Sequence, residues 1–141
     1  MPSSVAVVLV YATDRVVRDQ VRMAIGRSPA PGVDDVTFLE AVDGGQVVRA
    51  CDEGLPDLLV LDGEAWPTGG LGLCRQLRAE LPHCPPAIVL IGRRDDRWLG
   101  EWSGAEAVLM HPIDAGALAA AAVRLLTNPV ATAAADKERT S

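Results

Sequence analysis

Asp62 is the residue in this chain that most plainly invites chemistry. It ends the apolar run Leu58-Leu59-Val60-Leu61. An unalternated run of that length, bounded by Pro56 and Gly63, predicts a strand over Asp57–Leu61 buried on both faces. A carboxylate at such a strand's C-terminal end must meet water, a cation or a hydrogen-bond donor. In open α/β sheets that edge is where ligands bind. Two more acids stand near it in the expected topology, Asp14 and Glu64. Hard divalent cations take oxygen ligands, usually carboxylates, so Asp14, Asp62 and Glu64 are the set from which a cation site could be improvised. The favoured reading is plainer: Asp14 caps a helix and Glu64 is a solvated loop acid, so no metal or other cofactor is expected. His111, before Pro112, reads either as a structural histidine or as an anion-contacting, pH-sensitive partner of Asp62. His83 and Cys84 are metal-binding types with no partner at ligand spacing.

These residues need a scaffold, and the chain supplies a regular one. Val5–Val10, Val36–Ala41, Asp57–Leu61, Ala87–Ile91 and Ala107–Met110 read as short strands. Between them lie helical patterns. The first carries Val17, Val21, Ala24 and Ile25 on one face, with Arg15, Arg18, Asp19 and Arg22 pointing outward. A short helix begins at Asp43 and ends at Gly54. Another puts Leu73, Leu77 and Leu81 on one face. Arg93–Trp102 reads as one polar helix, and Ala115–Leu126 as an Ala-rich helix with Leu118, Ala122 and Leu125 inward. Strands alternating with helices imply a parallel sheet covered on both faces. Right-handed crossovers favour the flavodoxin-like (βα)5 order 2-1-3-4-5, with Asp62 at the switch-point crevice.

Composition narrows the class. A chain of 141 residues fits one domain, and 49% apolar content is globular. A net charge of −6 with no basic stripe argues against nucleic acid as a partner. Val5–Val10 is too short for a signal core or a membrane span. Cys51, Cys74 and Cys84 are odd in number and lack CxxC spacing, which suggests reduced thiols in the cytoplasm. We expect a domain over 1–127 and a disordered tail over 128–141.

The sequence resembles a two-component response regulator receiver domain over about residues 5–126. The segments PDLLVLD, GGLGLCRQLR, PAIVLIG and GAEAVLMHP carry the likeness. The resemblance implies that Asp62 stands where the family accepts a phosphoryl group, and that His111–Pro112 is a cis bond. It also exposes departures. Aligning Arg18 with the family's helix arginine puts Ala12 and Thr13 where an acidic pair holds Mg²⁺. Ile91 replaces the Ser/Thr of the fourth strand, His111 the lysine of the fifth, and Val108 the aromatic switch residue. Pro67 lies one residue late. Ile91 cannot hydrogen-bond a phosphoryl oxygen, and a histidine is a weaker counter-charge than lysine.

The sequence thus predicts an atypical, stand-alone receiver, not an enzyme, acting through protein contacts and independent of phosphorylation. The expected partner is another cytoplasmic protein, or a second copy through the helix 4–strand 5–helix 5 face that the family commonly uses. Trp98 and Trp102, one helical turn apart, join Val108 and the helix from Asp114 as interface candidates. Trp66 stands in the loop over the crevice. The alternative is a phosphorylation-competent receiver using Asp62 with Mg²⁺ on Asp14, Asp62 and Glu64. A nucleotide- or flavin-binding enzyme is disfavoured, because YATDR lacks a phosphate-cradling backbone.

Overall fold

The computed structural model describes residues 5–66 and 68–127. The expected tail over 128–141 and the displaced Pro67 lie outside them. Every apolar run becomes a strand: β1 (Val5–Tyr11), β2 (Asp35–Ala41), β3 (Leu58–Asp62), β4 (Ala87–Ile91) and β5 (Ala107–Met110). The helices between and after them are α1 (Arg15–Ile25), α2 (Gly44–Asp52), α3 (Gly70–Glu80), α4 (Arg97–Trp102) and α5 (Ala115–Thr127). The sheet is parallel throughout, in the order β2-β1-β3-β4-β5. This is the flavodoxin-like architecture expected from the alternation.

Strand side chains alternate between faces, and each face has its own core. Val8, Val10, Leu58, Val60, Ile88 and Leu90 point to the α1 and α5 side, where Val21, Ile25, Leu118, Ala122 and Leu125 meet them. Leu9, Tyr11, Leu59, Leu61 and Val89 point to the other side, against Val47 and Cys51 of α2 and Leu73, Cys74 and Leu77 of α3. Each fully buried aliphatic side chain stabilises the fold by about 1.5–3 kcal/mol. β3 and β4 are buried at every residue, which is why they read as unbroken apolar runs.

Three departures from the sequence expectation bear on the site. β3 begins at Leu58, because the Asp57 carboxylate takes the Val7 N–H (2.8 Å) just before the ladder starts. That shift makes Asp62 the last strand residue. Arg93–Trp102 is not one helix. A 3₁₀ turn, Arg94–Asp96, precedes α4, closed by the Asp96 N–H on Arg93 O and an Arg93–Asp96 ion pair of 3.6 Å. Arg18 does not point outward. Its Nη1 donates to the carbonyls of Ala12 (2.7 Å) and Thr13 (3.1 Å), and its Nε to Glu40 (3.0 Å). Three oxygens converging at the end of β1 outcompete solvent for one guanidinium.

Candidate functional site at the C-terminal edge of the sheet

β3 delivers Asp62 to the crevice with its side chain nearly sealed, at 3% residue exposure. Its Oδ1 accepts two hydrogen bonds. One comes from the Glu64 backbone N–H at 3.1 Å, an Asx turn that starts the following loop. The other partner is His111 Nε2 at 2.9 Å. β5 places that imidazole, and the His111 N–H donates to Ile91 O (2.8 Å), which fixes the chain as it leaves the sheet. The His111–Pro112 bond is cis.

The remaining crevice residues fall around this pair. Ile91 is buried at the end of β4 and offers only its backbone carbonyl. Ala12 is buried and carries no ligand atom. Thr13 bridges the crevice mouth: its hydroxyl accepts the Trp66 N–H (2.9 Å) and donates to Trp66 O (3.0 Å). Asp14 caps α1 by accepting the Val16 N–H (2.9 Å). Glu64 is exposed, and its carboxylate lies over Gly92, where an added Cβ would overlap Glu64 Oε1.

Tyr11 closes β1, one residue beyond the strand expected over Val5–Val10, and is a site residue that the sequence analysis does not contain. It is fully buried and its hydroxyl donates to Thr68 O, strapping the β3–α3 loop across the end of β1. Burial, followed by the nearby charges of Asp43 and Asp62, raises its phenol above the usual tyrosine value. A buried tyrosine needs a partner for its O–H, and that requirement was the available signal.

The interface candidates separate. Trp98 is 64% exposed and Trp102 is 46% exposed. Arg75 of α3 stacks on the Trp102 ring at 5.1 Å and donates to its carbonyl (2.9 Å). Val108 is half-buried beneath α4, where a Cβ on Gly100 would come within 2.6 Å of it. Asp114 caps α5 by accepting the Ala117 N–H (3.0 Å).

Oδ1 of Asp62 is engaged twice, Ala12 offers no side-chain oxygen, and the Thr13 hydroxyl is committed to Trp66. Asp14, Asp62 and Glu64 do not gather as a ligand set. Among the described residues, no group of three His, Cys, Asp or Glu is placed to hold a metal ion.

A doubly covered parallel sheet in the order β2-β1-β3-β4-β5, with an acid ending its third strand, is a flavodoxin-like α/β domain and agrees with the resemblance to a receiver. The comparisons give it a family. The chain is 45% identical over 122 residues to an uncharacterized response regulatory protein of Mycobacterium tuberculosis, covering 86% of this chain and 92% of that one. It is 34% identical over 100 residues to the transcriptional regulatory protein PrrA of the same species, covering 70% of this chain and 42% of PrrA. A putative response regulator from Chloroflexus aurantiacus superposes with a TM-score of 0.74 at 20% identity, over 87% of this chain and 98% of that one. A Francisella response regulator receiver domain gives 0.73 at 19%, over 88% and 98%. No family model matches the chain. The chain belongs to the response regulator family, as a receiver domain. Among the described residues, no helix is long and apolar enough to cross a membrane.

Proposed function

We propose that this receiver domain signals through protein contacts without phosphorylation of Asp62, and that it catalyses no reaction of its own. The observation that carries the reading is the His111–Asp62 hydrogen bond. It engages Oδ1 of the carboxylate at the acceptor position with the side chain that follows β5, and among the described residues no group of three His, Cys, Asp or Glu is placed to hold a metal ion. Phosphoryl transfer depends on positioned positive charge around the moving group. A single imidazole already bonded to the acceptor is a poor substitute for a metal ion and a lysine. On this reading Asp62 is a buried carboxylate that ties β3 to β5.

The output is then a surface presented continuously to another protein or a second copy, and exposed Trp98 and Trp102 on α4 are its anchors. Tryptophan buries large area at interfaces and dominates their energetics. Three free cysteines accord with a reducing, cytoplasmic setting. Intact mass after incubation with Mg²⁺ and acetyl phosphate tests the proposal. The expected spectrum is unchanged. A gain of about 80 Da, one phosphoryl group, that disappears in Asp62→Asn would overturn it.

A further inference from the structure

We infer that the rim of the crevice above β2, β1 and β3 is a second docking surface, one that takes a basic segment of a partner protein bearing an apolar anchor. The inference deepens the proposed function, since it rests on the domain working by protein contacts. Trp66 is the most exposed large ring in the described chain, at 77%. It is not on a free loop. Its backbone is clasped on both sides by the Thr13 hydroxyl, and two residues on, Thr68 O accepts from the buried Tyr11. Thr68 also reaches α2, where a Cβ on Gly44 would lie 3.6 Å from its methyl. The β3–α3 loop therefore leans across the end of β1 towards the start of α2, carrying Trp66 with it.

The register sets its neighbours. Tyr11 pairs with Ala41 across β1 and β2, and the Ala12 N–H donates to Ala41 O. Val42, which follows Ala41, therefore stands beside the Thr13 clasp, and Val16 lies in the first turn of α1, three residues after Thr13. Both valines are exposed. The same three loops carry Asp14, Asp43 and Glu64. None of these acids is in an ion pair among the described residues. The cations closest in sequence to Asp14 are already matched, Arg15 to Asp19 and Arg18 to Glu40. A pre-ordered ring on a rim that carries two exposed valines, the Asp14 and Asp43 carboxylates and, on its Gly92 side, that of Glu64 is complementary to Lys or Arg around one apolar residue. The fixed backbone lowers the ordering cost of docking.

The test uses the full chain carrying Trp98→Phe and Trp102→Phe, which leaves Trp66 as the sole tryptophan. Two synthetic peptides of equal length are titrated without phosphodonor, one Lys/Arg-rich with a central Leu-Phe pair, the other with Glu replacing every Lys and Arg. The expected result is a saturable shift of Trp66 emission with the basic peptide only. Trp66→Ala, followed through a dye on the peptide, should weaken binding by about tenfold or more, as loss of an interface anchor does. Asp14→Ser, Asp43→Ser and Glu64→Gln together should weaken it similarly, because serine keeps each helix cap while removing its charge. Glu64→Gln alone, outside both caps, repeats the test should that triple variant fail to fold. No saturable response to the basic peptide, equal response to the acidic one, or wild-type affinity in these variants would overturn the inference. So would a dimer in sedimentation that Trp66→Ala dissolves, which would assign the rim to self-pairing. A phosphorylated Asp62 would defeat the preceding proposal while leaving this titration readable.

Discussion

His111 Nε2 lies 2.9 Å from Asp62 Oδ1, and the bond spans β4 from the end of β5 to the end of β3. It is possible because β4 ends in Ile91 and is followed by Gly92, which put no polar side chain between the two. In His111→Ala the carboxylate keeps only the Glu64 N–H on that oxygen. A buried group deprived of a partner costs about 1–3 kcal/mol, so urea unfolding should show a loss of that size. Asp62→Asn in the His111→Ala background should cost less than in wild type, because the shared interaction is already gone. Strictly additive losses would mean the pair has no mutual stabilisation.

The tight seat of α3 against β3 gives a contrast within one helix. A Cβ on Gly70 would lie 2.7 Å from Asp62 O, a backbone atom that cannot swing aside. A Cβ on Gly72 would meet nothing within 4 Å. Gly70→Ala should therefore destabilise by about 1–3 kcal/mol, as overpacking does. Gly72→Ala should stabilise by about 0.5–1 kcal/mol by restricting the unfolded chain. Thermal melts of the two variants should move in opposite directions. Equal shifts would contradict the close approach of α3 to Asp62.

The fold was legible because burial on both faces writes itself as unbroken apolar runs, and β3 and β4 are such runs. Helices with a strong apolar stripe, α1 and α5, were legible for the same reason. α4 was expected within Arg93–Trp102, but its start was not legible, because its contact with the sheet runs through Gly100, whose missing side chain leaves no stripe to read. Asp62 was identifiable as a charge ending an apolar strand. Its pairing with His111 remained one of two readings, since 49 residues separate them and only the β5 register brings them together. The Thr13–Trp66 clasp and the inward turn of Arg18 left no pattern at all. Both depend on where backbone carbonyls fall once the sheet is built.

Trp98 and Trp102 should be separable from stability. Trp98→Ala removes a ring that is mostly in water and should change unfolding free energy by no more than about 0.5 kcal/mol. Trp102→Ala also removes the Arg75 stacking and should cost about 0.5–1 kcal/mol more. Urea unfolding followed by circular dichroism checks both. A loss of several kcal/mol in Trp98→Ala would show that the ring is a core group and withdraw it as an anchor for a partner.

Thiol chemistry should report the α2 face of the core. Burial, with smaller contributions from Cys84 and Asp52, pushes the Cys51 thiol up to about 11 from an ordinary 9.0. Cys74 and Cys84 are also raised, mainly by burial, with Arg78 opposing. Only thiolate attacks an alkylating reagent, so Cys51 in the folded chain should be nearly inert to iodoacetamide at pH 8 and gain reactivity between pH 9 and about 11. Unfolding in urea should restore ordinary labelling. The same shift links to stability. Between the unfolded and folded values the native state binds more protons, so the Cys51 contribution is complete below about pH 9 and is lost as pH rises towards 11. Cys51→Ala should flatten stability against pH in that window, apart from what Cys74 and Cys84 contribute. Rapid alkylation of Cys51 at pH 8 in the folded protein, read by peptide mass mapping, would show that the end of α2 is open to solvent.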